Sequence, residues 1–167
     1  MFKEIKVSEI QDNPFKLIGK DWMLITAGNE EKVNAMTASW GGVGVMWGKP
    51  AVTCYIRPQR YTKTFVDREE RFSLAFFDDS YRKMLNYMGS VSGADEDKIK
   101  GSGLNVSMVD GVPVFEEAKL VLICRKQFAQ RLDPENMIDP EIDGKWYPDK
   151  DYHTMYIAQI EKVLIKE

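Results

Sequence analysis

The sequence predicts a mainly β domain of the α+β kind, an antiparallel barrel with a few short helices packed outside it. Three observations carry this expectation. Apolar runs rich in β-branched and aromatic residues recur along the chain, each bounded by Gly, Pro, Asn or Asp. Hairpin-length connections, not crossover helices, separate many of them, so no βαβ rhythm develops and a doubly wound parallel sheet is disfavoured. Closure into a barrel would leave so many short strands with few open edges.

Trp22–Thr26 reads as the first strand, and Gly28–Lys32 as a hairpin turn into a returning strand, Val33–Trp40. Gly41-Gly42 then opens a loop through Met46 and Trp47 to the turn signal Gly48-Lys49-Pro50. Ala51–Arg57 is the next strand, stopped by Pro58, which has no N–H for a ladder. Thr62–Asp67 has the look of a short helix, with Thr62 or Thr64 as its cap. Phe72–Phe77 is a strongly apolar strand. In Ser80–Met88 the residues Tyr81, Met84, Leu85 and Met88 fall at helical spacing, with Ser80 as cap. Asp95–Lys100 reads as a second short helix capped by Ser92 or Asp95. Strand signals resume at Val106–Val109, Val114–Phe115 and Leu120–Phe128. The stretch from Leu132 to Asp151 is rich in Pro, Asp and Glu and reads as a long surface excursion. Tyr152–Ile165 closes the chain as a strand.

No repeat, low-complexity segment or linker interrupts this series, so residues 1–167 read as one domain with room for a sizeable core. Hydrophobic content of 44% beside 29% charged residues is that of a soluble globular protein. A net charge of −3 with scattered basic residues indicates neither a nucleic-acid surface nor a membrane-binding face. Met1–Val7 carries no apolar run of signal-peptide length, and the expected location is the cytoplasm. Cys54 and Cys124 lie inside apolar strands and read as buried free thiols. With one histidine and no CxxC pair, a metal site is not expected. Dinucleotide-fold, Walker, nucleophile-elbow and zincin motifs are all missing.

Two segments carry the chemistry. Asn34-Ala35-Met36-Thr37-Ala38-Ser39-Trp40 sets two hydroxyls and a large aromatic on one strand, followed by glycines that let backbone N–H groups approach a ligand. Arg57-Pro58-Gln59-Arg60-Tyr61-Thr62 adds two guanidiniums and a hydroxyl at the mouth of a helix, a combination suited to a phosphate dianion. Ser90–Lys98 adds a further hydroxyl, Ser92, and the ammonium of Lys98. A phosphorylated, planar cofactor on a β scaffold fits this set, with flavin mononucleotide (FMN) the leading candidate. His153 reads as a strand-edge histidine bonded to a neighbour, and Trp47, Trp146 and Tyr147 as aromatics that lid a pocket or fill an interface.

In this order and spacing, the two segments together with Trp47-Gly48-Lys49-Pro50, Ser90-Val91-Ser92-Gly93, Asp97-Lys98 and Trp146–Ile157 resemble the flavin reductase-like family, nearest its flavoredoxin branch. The resemblance implies an antiparallel split β-barrel that binds FMN near the interface of a homodimer. It implies Thr37, Ala38, Ser39 and Trp40 along the ring and ribityl chain, Ala38 through its backbone, with Asn34 and Met36 of the same segment also among the cofactor-binding residues. Arg57, Arg60, Thr62, Ser92 and Lys98 would serve the phosphate. NADH or NADPH is the implied electron donor, with free flavin, a small acceptor or a redox partner protein receiving the electrons. Three other readings stay open at this point: an FMN-holding electron carrier, a barrel that binds a ligand or protein without cofactor, and pyridoxal-phosphate-type oxidase chemistry.

Overall fold

Met23–Gly28 is buried at every position, because both faces of this strand are covered. Its odd-numbered residues Met23, Ile25 and Ala27 point into the larger of two hydrophobic clusters, while Leu24 faces the smaller. The same division runs across the sheet. Phe72, Leu74 and Phe76 lie in the larger cluster and Ala75 in the smaller, and Leu122 and Cys124 alternate likewise with Val121 and Ile123.

The computed structural model describes residues 1–167. Its strands are β1 (Phe2–Ile5), β2 (Met23–Gly28), β3 (Val33–Ala38), β4 (Gly41–Met46), β5 (Lys49–Ile56), β6 (Arg71–Phe76), β7 (Val106–Val109), β8 (Val112–Phe115), β9 (Leu120–Arg131) and β10 (Thr154–Lys166). The short helices are α1 (Pro14–Lys16), α2 (Thr62–Arg68), α3 (Arg82–Ser90), α4 (Lys98–Ser102) and α5 (Glu141–Trp146). One antiparallel sheet runs in the order β3-β2-β6-β9-β10-β5-β4, with β1 against the C-terminal half of β10 and a separate β7–β8 hairpin. The smaller cluster fills the space between the outer face of the sheet, α3 and that hairpin.

The first and last strands of this path, β3 and β4, are joined by Ser39-Trp40 alone. Three Cα steps span at most about 11 Å, so the sheet must curl until its two edges approach at that link. Gly41 marks the closeness: a Cβ there would stand 2.7 Å from the Thr53 carbonyl oxygen and 3.2 Å from Met23 Cε. The hydrogen-bond ladder nevertheless stays open, since β3 pairs only with β2 and β4 only with β5. The sheet is thus mainly antiparallel and curled, with its gap crossed by chain rather than by pairing, an arrangement consistent with the split barrel expected from the sequence.

Other expectations are corrected. Gly41–Met46 is a strand, not a loop, in register with β5 from Gly41↔Cys54 to Met46↔Lys49. Trp47 and Gly48, at φ +50° and +70°, make the left-handed two-residue turn such a hairpin needs. Three glycines in β4 hide its alternation. Phe2–Ile5 pairs with β10, a strand too short to announce itself. Helix α3 begins at Arg82 with Tyr81 at the cap position, so Ser80 does not cap it. Neither Thr62 nor Thr64 caps α2; Tyr61 occupies the position, and Thr64 Oγ1 donates back to its carbonyl at 2.8 Å. Helix α4 starts at Lys98, not Asp95, because Asp97 is the cap and accepts from Lys100 N at 3.1 Å. The 132–151 excursion exists as expected but carries α5 and a fully covered tyrosine, Tyr147. Both cysteines are free and buried; burial pushes the Cys54 thiol up to about 12 and raises Cys124 as well.

Candidate functional site

At the gap between the sheet edges lies a cleft of about 400 Å³. Met36, Thr37 and Ala38 of β3 form one side, continued by the Ser39-Trp40 link. Tyr55 and Arg57 at the end of β5, Arg60, Gly89 of α3, Trp146 and His153 complete it. Its size falls within the usual range for small-molecule sites, roughly 300–1,000 Å³.

Local packing explains the shape. Thr37 Oγ1 donates to the Leu85 carbonyl at 2.5 Å, docking α3 on β3. Gly89 permits the approach, because a Cβ there would lie 3.2 Å from Thr37 Cβ. The opposite wall is aromatic. Trp40 meets Trp146 edge-on at 5.1 Å between ring centroids and lies 5.0 Å from His153. His153 and Tyr147 share a hydrogen bond of 2.8 Å between Nδ1 and the phenol oxygen. Burial chiefly, and then the Arg57 charge, depress His153 to about 4 despite the opposing pull of Asp151, so the ring is neutral at pH 7.

The two arginines have opposite surroundings. Arg57 donates to the Trp146 carbonyl at 2.9 Å, pairs with Asp151 Oδ1 at 2.6 Å and lies over the Tyr147 ring at 5.1 Å. Arg60 donates to the Gly89 carbonyl at 2.8 Å and has no carboxylate within ion-pair distance. Burial lowers its pKa. Lys98 is 3% exposed, and its Nζ donates to the Met88 and Val91 carbonyls, both at 3.0 Å. It too lacks an acid partner. Burial, and secondarily repulsion from Arg60, bring Lys98 down to about 8. The half-buried Arg60 and the buried Lys98 thus meet the carbonyls of the C-terminal turn of α3, with no carboxylate within ion-pair distance of either.

Seven of the predicted site residues come together in the cleft: Met36, Thr37, Ala38, Ser39, Trp40, Arg57 and Arg60. The other four sit apart. Asn34 and Thr62 are buried against each other, Asn34 Nδ2 donating to Thr62 Oγ1 at 2.8 Å. Ser92 Oγ accepts from Ala94 N at 3.2 Å. Lys98 lines, with Asn34 and Gly93, a neighbouring cavity of about 740 Å³ whose other residues include Glu30, Glu31, Asp95, Glu96 and Asp97. The amides of Lys63 and Thr64, expected to face an anion, instead donate to the Arg60 and Tyr61 carbonyls at 2.9 and 3.1 Å. Tyr55 and Gly89 escape sequence reasoning. Tyr55 stands two residues before Arg57, so strand periodicity could have placed both on one face. Gly89 and Asp151 carry no local signal, since their roles arise from partners distant in sequence.

Residues 16–167 match the model of the flavin reductase like domain. The chain belongs to that family. No curated protein matches the sequence. Among solved structures, the flavoredoxin of Desulfovibrio vulgaris (Miyazaki F) superposes with a TM-score of 0.69 at 18% identity, covering 99% of this chain and 78% of its own. An FMN-binding protein from Thermus thermophilus gives 0.68 at 19% identity, over 98% and 83%. The NADH:FAD oxidoreductase of Streptomyces globisporus, solved with NAD and FAD fragments, gives 0.66 at 14% identity, over 87% and 74%. At these identities the likeness is one of fold. No helix in this flavin reductase-like chain is long and apolar enough to cross a membrane.

Proposed function

We propose that this chain is an FMN-binding oxidoreductase of the split-barrel kind, reducing flavin with NADH or NADPH or passing electrons onward through it. The observation that carries the reading is Arg60, without a carboxylate partner, in a cleft with an aromatic wall, and the unpaired Lys98 behind it. Partly buried cations without counterions are costly unless an anion joins them. The phosphate of FMN is such an anion, and Trp40 with Trp146 offers a hydrophobic flank for the ring. Family membership and the flavin-related names of the structural neighbours point the same way.

When bound, FMN supplies the capacity to accept a hydride and release its electrons singly or in pairs. The protein residues position and shield. Arg60 would hold the phosphate end, with the buried Lys98 adding positive charge from behind the α3 carbonyls, and Thr37 keeps α3 fixed on β3. Neutral His153 and Trp40 present a surface without charge to the ring. Nothing in this scheme requires a catalytic side chain. Reduced nicotinamide would enter from the open side of the cleft.

The reading includes a homodimer with FMN near its interface. Edge strand β4 exposes Val43, Val45 and Met46, and Trp47 beside Phe128 extends the apolar surface. Such an edge invites a second copy. Substituting Val45→Lys should shift the protein toward monomer in sedimentation, whereas an unchanged mass would remove β4 from the interface.

The test of function is an absorbance spectrum of the purified protein after FMN addition and removal of excess, followed by NADH and NADPH oxidation with added flavin. Retained flavin with turnover supports a reductase. Retained flavin with little turnover identifies a carrier that serves a redox partner protein. A colourless protein that oxidises neither nucleotide overturns the reading.

A further inference from the structure

The 132–151 excursion is tied down from two directions. Within it, Asp143 accepts from Lys150 Nζ and from the Tyr152 hydroxyl, each at 2.7 Å. From the sheet, Arg57 reaches across and divides its planar fork. One nitrogen donates to the Trp146 carbonyl, and the other pairs with Asp151, so the guanidinium grips the last turn of α5 and the end of the excursion together. Gln59 Nε2 holds the second oxygen of Asp151 at 2.6 Å. The Tyr147 ring covers the guanidinium face. A guanidinium presents five donors in one rigid plane, and here that plane is already committed on two sides and across one face. Arg60, three residues on, is committed to a single carbonyl.

Building on the flavin reading above, we propose that Arg57 is a positioning residue rather than a phosphate ligand: it latches the excursion so that Trp146 stays against Trp40 and walls the ring end of the cleft. The latch and the anion site then divide the cleft between them. The latch acts on the isoalloxazine, which riboflavin and FMN share, while Arg60 acts on the phosphate, which riboflavin lacks.

Asp151→Asn separates the two roles, because it loosens the latch while leaving the Arg57 cation in place. The experiment titrates wild type and variant with FMN and with riboflavin, and follows tryptic cleavage after Lys145 in the flavin-free protein by mass spectrometry. The expected result is a loss of affinity by the same factor for both flavins, about fivefold as for one partly exposed ion pair, together with faster cleavage. A phosphate-binding Arg57, released from its carboxylate, would instead tighten FMN or leave it unchanged and spare riboflavin; that result overturns the proposal. Unchanged cleavage overturns the latch whatever the flavins do. Arg57→Lys gives a second route if Asp151→Asn folds poorly: the charge remains and the fork is lost, so both flavins should again weaken together. Wild type that binds neither flavin contradicts the flavin reading, and the cleavage comparison still decides whether Arg57 secures the excursion.

Discussion

Arg57 and Arg60 stand three residues apart in one turn, yet the fold uses them in contrasting ways. Arg57 faces a carboxylate, a carbonyl and an aromatic ring, all from the chain's last third. Arg60 faces a single carbonyl and shares its neighbourhood with another cation, Lys98. One charge is committed to partners within the fold, and the other has no carboxylate beside it. A guanidinium count near a cleft therefore says little about phosphate binding until the partners of each are known.

The contrast can be broken or sharpened in several ways. The largest effect belongs to Arg60→Ala, which should cost FMN binding about 2–3 kcal/mol, the worth of a charge-assisted hydrogen bond. Riboflavin affinity should not change. Parallel fluorescence titrations check this, and equal losses for the two flavins would erase the distinction between the arginines.

Next in size is Gly93→Ala, which attacks the support beneath the anion end. A Cβ at Gly93 would meet Asn34 Oδ1 at 2.1 Å and Cγ at 2.9 Å. Asn34 cannot swing aside freely because it is buried and bonded to Thr62. Overpacking of this kind costs about 1–3 kcal/mol, readable as a lower midpoint in urea. A midpoint equal to wild type would mean that Asn34 repacks without penalty.

Trp146→Ala removes the wall that Arg57 secures. Loss of an edge-on aromatic partner should weaken FMN and riboflavin equally, by about 0.5–1.5 kcal/mol. An effect confined to FMN would place Trp146 at the phosphate end.

The smallest effect is a pH dependence at Lys98. Its pKa in the folded protein is lowered to about 8 from an ordinary 10.5. The unfolded chain therefore binds more protons between these values, so this group makes the flavin-free protein more stable as pH rises from 8 toward 10.5. Binding runs the other way. The charged ammonium attracts the phosphate dianion, and so FMN affinity should fall as pH climbs past about 8, while riboflavin affinity should not. Titrations at pH 7 and 9.5 read the difference, and a flat FMN profile would take Lys98 out of the anion site.

Much of this was legible in the sequence, for identifiable reasons. Strands β2, β5, β6, β9 and β10 announce themselves because their apolar runs are long and bounded by turn residues. Strand β4 does not, since Gly41, Gly42 and Gly44 erase the alternation on which strand reading depends. Met36 to Trp40 reach the cleft together because they are contiguous along β3 and its link. The residue types of Ser92 and Lys98 suggest the same pocket, but the chain folds Lys98 back onto the carbonyls at the end of α3. The pairing of Arg57 with Asp151 was invisible, because nothing local in either segment specifies a partner so far along the chain.

The measurement that tests the central claim most directly is the affinity of wild-type protein for FMN and for riboflavin under identical conditions, read from flavin fluorescence. An anion site at Arg60, which has no carboxylate partner, predicts that FMN binds more tightly by about 100-fold, the worth of a charge-assisted contact to the phosphate. Equal affinity for the two flavins, or binding of neither, would contradict it.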